Sequence, residues 1–194
     1  MSDGPRIKLD DALKMAAGFI DRLGVAGGAV QVVGSVRRRT ETVGDLDLVA
    51  PLPPAGKPGV SDDPLYRVLL ARADRRGAGL FDASGTKHWV AVSGVKCGFR
   101  EALLLLTFNQ WFELPCQIYR YTPANAGWIT LIRTGPEGFG ARFLTQWKRT
   151  WGITEQASVN GHLVDKAGRV VPVATEREAF ALCGMKWVEP EDRE

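Results

Sequence analysis

Residues that hold metals or form disulfides are scarce in this chain. Cys97, Cys116 and Cys183 are odd in number, far apart and without a Cys-x-x-Cys pair, and the only histidines are His88 and His162. Neither a disulfide framework nor a Cys/His zinc site is therefore expected. The longest strongly apolar run, Ala102–Leu106, is far shorter than the roughly 20 residues a bilayer-spanning helix needs. The N-terminus lacks the charged-then-apolar pattern of a secretory signal, so a reducing, cytoplasmic setting and no membrane partner are expected. A net charge of +3 and a pI near 8.9 are too weakly basic to establish nucleic-acid binding. Hydrophobic residues at 45% argue against disorder, and 194 residues suffice for one domain or two compact subdomains.

What is present concentrates between Ala29 and Val49, AVQVVGSVRRRTETVGDLDLV. Ala29, Val30, Val32 and Val33 predict a buried strand ending at Gly34-Ser35, and a second apolar stretch carries Asp45 and Asp47. At i and i+2 in a strand, the two carboxylates leave the same face and can share one divalent cation. Mg2+ prefers oxygen ligands, commonly one or two carboxylates completed by phosphates and water. Gly34 lets the backbone approach a phosphate, Ser35 supplies a hydroxyl, and Arg38, between Arg37 and Arg39, supplies a positive fork. The expected ligand is a metal-bound nucleoside triphosphate. Taken alone, Asp-x-Asp is also the pattern of two solvated acids beside a turn.

Gly34-Ser35, nine residues, then Asp45-Leu46-Asp47 resembles the signature of the nucleotidyltransferase superfamily. The fuller string Gly34-Ser35-Val36-Arg37-Arg38 with Gly44-Asp45-Leu46-Asp47 is similar to the DNA polymerase X family. That resemblance implies an α+β fold: a nucleotidyltransferase palm over residues 1–123, its mixed, largely antiparallel sheet carrying helices on one side, and a small α/β thumb over 124–194. It implies Mg2+ (Mn2+ as a substitute) held by Asp45 and Asp47, and a deoxynucleoside triphosphate held by Gly34, Ser35, Arg38 and Gly44. It also implies a nicked or gapped DNA partner and a monomer. The N-terminal lyase domain and helix-hairpin-helix fingers of larger members have no counterpart here, so lyase activity is not expected.

Along the rest of the chain, Leu9, Leu13, Ala16, Ile20 and Leu23 predict a helix within Pro5–Leu23, with Asp10 as N-cap and Gly24 as stop. A Pro/Gly-rich loop is expected over Pro51–Pro64, then a helix over Leu65–Arg75 ending at Gly77, its arginines on a solvated face. Strands are expected over Lys87–Ser93, Glu101–Phe108 and Trp111–Tyr119, with a turn at Asn109-Gln110. Helices follow over Asn125–Thr134, stopped by Gly135, and over Gly138–Trp151. The stripe Phe139, Phe143, Trp147 reads as core or as a base-stacking platform. Near the end come a hairpin around Asp165-Lys166-Ala167-Gly168 and a helix opening at Thr175, where Thr175 and Glu178 have capping-box spacing.

The family resemblance places a third catalytic carboxylate in the strand that reads Leu114-Pro115-Cys116-Gln117-Ile118-Tyr119, and Gln117 stands at that position. Gln offers a carbonyl oxygen but neither a charge nor a base. The nucleotide-borne cation should persist, the cation that activates the attacking hydroxyl should bind weakly, and chemistry should fall by about 100- to 10,000-fold. Glu113 shares parity with Gln117, but four strand residues put their Cα atoms roughly 13 Å apart. Thr134-Gly135 and Phe139 match the family's sugar and base pocket, although Ile132-Arg133 replace the aromatic pair that precedes it in the polymerase beta branch, which leaves the choice of sugar open. Arg142, Lys148 and Arg149, with Arg133, are candidate DNA-phosphate contacts or a solvated basic face. The ending, from Pro172 to Arg193, is similar to the family's thumb terminus. Three functions follow: a weakened polymerase X-like enzyme, a catalytically silent nucleotide- or DNA-binding module of the same fold, or a transferase acting on RNA, a protein hydroxyl or a small molecule.

Overall fold

The structure, a computed structural model, describes residues 6–23, 30–52, 64–73, 90–97, 101–108 and 112–194. Residues 53–63 of the expected Pro51–Pro64 loop, the Asn109-Gln110 turn and the Gly24 and Gly77 stops lie outside the described residues. The chain is α+β and divides into two compact units, residues 1–120 and 121–194. No helix among the described residues is long and apolar enough to cross a membrane.

In the first unit, β1 (Ile7–Lys8) runs straight into α1 (Leu9–Leu23). Pairing of Ile7 with Val43 in β3 (Thr42–Val43), and the bond from Leu9 N to Glu41 O at 3.1 Å, deliver the chain into the helix. Asp10 is thus not the N-cap. It lies in the first turn, where its charge suits the positive end of the helix dipole. The buried stripe of α1 is Ala12, Met15, Ala16, Phe19 and Leu23, whereas Leu13 is 46% exposed. Apolar residues support two adjacent stripes in this helix, and the sheet beneath selects the one that includes Phe19.

A five-stranded sheet has the order β2-β4-β7-β6-β5. Its strands are β2 (Gln31–Val32), β4 (Leu46–Pro51), β5 (Val90–Cys97), β6 (Glu101–Phe108) and β7 (Phe112–Tyr121). The β2–β4, β6–β7 and β5–β6 pairs are antiparallel, and β5–β6 shifts register between Ser93 and Lys96. Strand alternation sorts the leucine run of β6: Ala102, Leu104 and Leu106 are buried while Leu103 is 40% exposed. The inward residues join Leu46, Leu48, Leu114, Cys116 and Ile118 in one core with α1 and with Leu65 and Leu69 of α3 (Pro64–Ala73). Asp47, Pro115 and Gln117 alternate with that core set along β4 and β7 and so lie on the opposite face of the sheet.

In the second unit, α4 (Ala126–Thr134) and α5 (Phe139–Trp151) are followed by the hairpin β8 (Ser158–Val159) and β9 (His162–Leu163), then α6 (Glu176–Leu182) and a 3-10 turn, Pro190–Asp192. Phe139, Phe143 and Trp147 belong to its core, so that stripe is packing and not a stacking platform. Trp147 is fully buried and donates from its indole nitrogen to Val164 O at 2.8 Å. Gly127 seats α4 on the chain before α6: an added Cβ would lie 2.6 Å from Thr175 N. Thr175 caps α6 by accepting from Glu178 N at 3.2 Å, and the Glu178 carboxylate returns to Ala174 N at 2.8 Å. The expected hairpin around Asp165 forms through the Val164–Val170 bridge, with Gly168 at φ +75°. Asp165 accepts from the backbone of Arg169 and Ala167 there, and that bonding, led by Arg169 N–H, holds its carboxyl below the usual range.

Candidate active site

The site begins where the apolar strand ends. Only Gln31–Val32 pair as a strand, because the chain turns at once: Val33 N donates to Asp47 O at 2.9 Å and Gly34 takes φ +64°. A four-residue helix, α2 (Gly34–Arg37), follows. Glycine is required at position 34 for two reasons. The left-handed backbone disfavours a side chain, and an added Cβ would collide with Asp47 Oδ2 and lie 2.9 Å from Asp47 Cβ. Gly34 and Asp47 are therefore packed face to face.

Ser35 follows in this turn, and its hydroxyl oxygen is buried without a hydrogen-bond partner among the described residues. Buried polar atoms are normally satisfied, and an orphaned one marks a place where a ligand or ion can bind. The turn is otherwise well bonded. Arg38 N donates to Gly34 O at 3.1 Å, and Thr40 donates to Ser35 O from N at 3.1 Å and from Oγ1 at 3.2 Å. Arg37 and Arg38 are half-buried, and Arg39 is exposed at φ +56°.

Asp45 and Asp47 flank the fully buried Leu46 and are themselves half-buried. Cys116, on the adjacent strand β7, reports their proximity: its thiol is pushed well above its ordinary pKa, first by burial and then by the negative charges of Asp47 and Asp45. Gln117 is the next residue, on the face of β7 opposite Cys116. Tyr119, two residues on, donates its phenol hydroxyl to Gln117 Oε1. Glu113 pairs with Thr107 within the sheet.

Among the described residues no cluster of three or more His, Cys, Asp or Glu side chains could hold a metal ion. Two half-buried carboxylates, Asp47 packed on the glycine next to an orphaned hydroxyl, fit Mg2+ whose shell is completed by ligand phosphates and water, not a cation caged by protein alone. Three residues at this site went unnoticed in the sequence. Cys116 and Tyr119 needed the strand order or the i, i+2 relation to Gln117. The third is Arg6, which donates from Nε to Thr42 Oγ1 at 2.9 Å and from Nη2 to Thr42 O at 2.8 Å. Its Nη1 lies 3.4 Å from where a Gly44 Cβ would be, so it braces the turn leading into Asp45.

In the second unit, Thr134, Gly135 and Phe139 form one packed group. Thr134 is fully buried, Phe139 lies in the core, and an added Cβ on Gly135 would be 2.7 Å from Phe139 Cβ. On α5, Arg142 and Arg149 are exposed two turns apart, hence on one side of the helix. The Arg142 guanidinium stands 6.0 Å from the Phe139 ring centroid. Lys148 is half-buried and lines an open groove of about 560 Å³ with Thr154, Gln156 and Val159.

Residues 141–194 match the family model of the DNA polymerase beta thumb. The match includes Arg142, Lys148 and Arg149 and excludes the Gly34–Asp47 turn, Gln117 and Thr134-Gly135. It supports a polymerase X-like relationship for that segment. No curated protein matches the chain.

Proposed function

We propose that this chain is a minimal polymerase X-like nucleotidyltransferase, with unit 1 as palm and unit 2 as thumb, that binds a Mg2+-nucleoside triphosphate and a nicked or gapped DNA end. The observation that carries the reading is the Gly34–Ser35 turn, pressed against Asp47 with the Ser35 hydroxyl left orphaned. A turn stripped of side-chain bulk, with an unused donor beside two carboxylates, suits a phosphate that arrives with its own cation. Asp45 and Asp47 hold Mg2+ or Mn2+, which supplies charge neutralisation for the triphosphate and the leaving pyrophosphate. Ser35 and Arg38 bind phosphate oxygens, while Gly44, steadied by Arg6, keeps Asp45 in place. Thr134, Gly135 and Phe139, packed together in unit 2, are assigned to sugar and base recognition on the family resemblance alone. Arg142, Lys148 and Arg149 contact DNA phosphates, in keeping with the thumb match. The reaction is in-line attack of a primer 3′ hydroxyl on the α-phosphorus, with pyrophosphate leaving.

Gln117 can neither hold a cation by charge nor accept the attacking proton, so turnover is slow. One observation favours a second reading, a silent nucleotide- or DNA-binding module: the Gln117 carbonyl oxygen is already engaged by Tyr119. Primer extension on a one-nucleotide gap separates the two, comparing the native chain, Gln117→Asp and Asp45→Ala in Mg2+ and in Mn2+. The enzyme reading expects measurable extension, a rise of at least about 100-fold in Gln117→Asp and loss in Asp45→Ala. Nucleotide binding without extension under either metal establishes the module. Fast native extension that Gln117→Asp leaves unchanged refutes the role given to Gln117. Transfer of labelled nucleotide to RNA, protein or a small molecule without DNA would instead support the transferase reading.

A further inference from the structure

Gln117 lacks the charge its position asks for, and what it does there is set by its neighbour. In β7 the side chains of residues 117 and 119 share a face. Across the β6–β7 ladder their partners are Leu103 and Glu101. Tyr119 is only 7% exposed, so the bond from its hydroxyl to Gln117 Oε1 is made where little water competes for either group. A carboxamide has one oxygen to accept or coordinate with, and two N–H donors on its nitrogen. A phenol bonded to that oxygen draws off the electron density a cation would use, and it fixes the rotation of the amide. The second lone pair of that oxygen is left as a weaker ligand, and the amide N–H groups repel a cation.

From this geometry we infer that Tyr119 is a positioning residue that occupies the carbonyl oxygen of Gln117, weakens it as a metal ligand, and thereby disfavours a second divalent cation in the site. The inference rests on the nucleotide site proposed above. It goes further in assigning the missing second cation to a specific bond as well as to the lost carboxylate.

The test counts cations instead of turnover. The full chain is titrated with Mn2+ in the presence of a non-hydrolysable nucleoside triphosphate, and unbound Mn2+ is followed by its electron paramagnetic resonance signal. The native chain should take up one Mn2+ tightly and a second only weakly. Tyr119→Phe keeps the ring, removes the donor and should tighten the second Mn2+ by about 2- to 10-fold, the equivalent of one net hydrogen bond, leaving the first unchanged. In a Gln117→Leu background the same substitution should have no effect on either cation. A second Mn2+ that binds tightly to the native chain overturns the inference, as does a Tyr119→Phe effect that is absent, or that persists in the Gln117→Leu background. Asp45→Ala isolates the underlying reading. If it leaves the first Mn2+ in place, the proposed nucleotide site itself is wrong, whatever Tyr119 does.

Discussion

Replacing Gly34 by alanine adds one methyl group at the point where turn and carboxylate meet. Two costs follow from the geometry. At φ +64° an L-residue loses about 1–2 kcal/mol relative to glycine. The new Cβ would also lie 2.9 Å from Asp47 Cβ, where ordinary contacts begin at 3.4 Å, and would overlap Oδ2. The backbone has little room to yield, because Val33 N is bonded to Asp47 O at 2.9 Å and Arg38 N to Gly34 O at 3.1 Å. The Asp47 carboxylate must therefore swing aside by several tenths of an ångström or more. Sites of this kind tolerate about 0.5 Å, and displacement near 1 Å costs on the order of 100-fold. We predict that Gly34→Ala lowers Mg2+-dependent affinity for a fluorescent nucleotide about 10- to 100-fold and costs about 1–2 kcal/mol in urea unfolding, with unit 1 still folded. Gly18→Ala in α1 is the control: a Cβ there meets nothing within 4 Å, and the helix should gain up to about 1 kcal/mol. Unchanged nucleotide affinity in Gly34→Ala, alongside loss of binding in Asp47→Ala, would refute the argument.

Two further predictions concern unit 2. Arg193 is buried, ion-paired through Nη1 to the buried Glu176 Oε1 at 2.7 Å, and lies 5.0 Å from the Trp187 ring and 5.6 Å from those of Phe139 and Phe180. Arg193→Ala removes the guanidinium that neutralises this buried carboxylate and should cost about 3 kcal/mol by chemical denaturation. The Glu176→Ala/Arg193→Ala double variant should recover part of the loss, and a cost below about 1 kcal/mol would contradict the assignment. Burial pushes the Cys183 thiol from its ordinary 9.0 up to about 12. The folded chain keeps this proton while the unfolded chain loses it, so stability should fall by about 1.4 kcal/mol per pH unit as pH rises from 9 towards 12. Cys183→Ala should show a shallower slope in unfolding measured across that range, and equal slopes would reject the assignment.

What the sequence made legible was local. The β6 bounds, the stop of α4 at Gly135, the capping of α6 by Thr175 and Glu178, and the turn at Gly168 each depend on a few neighbouring residues with strong preferences. What it hid was set at a distance. The start of α1 depends on the β1–β3 pairing, 36 positions apart at Ile7 and Val43, and the exposure of Leu13 depends on which stripe meets the sheet. Within the candidate site, the spacing of Gly34-Ser35 and Asp45-Leu46-Asp47, read with its family resemblance, put turn and carboxylates together, and Gly34 is packed against Asp47. The approach of Cys116 was not readable, because the sheet order β2-β4-β7 joins segments about 70 residues apart in the chain. The Tyr119–Gln117 bond had a local signal, two polar side chains at i and i+2 of a strand, but parity alone does not say which atom bonds to which.

On the proposed reading, the distribution of anchoring bonds would let nucleotide binding and catalysis part company in one site. The Gly34–Ser35 turn is held by Val33 N to Asp47 O, by Arg38 N to Gly34 O, and by Thr40 on Ser35 O, none of which involves β7. Gln117 is held by Tyr119, a bond within β7 that involves neither the turn nor the carboxylates. An amide in place of an acid at position 117 therefore disturbs none of these supports, and it also lightens the charge that two carboxylates and a third would place on one face. The core side of β7, with Leu114, Cys116 and Ile118 fully buried, does not register the substitution. On the proposed reading, an amide at position 117 costs the fold little and the chemistry much, the arrangement in which a polymerase-like chain would bind its ligand yet turn over slowly.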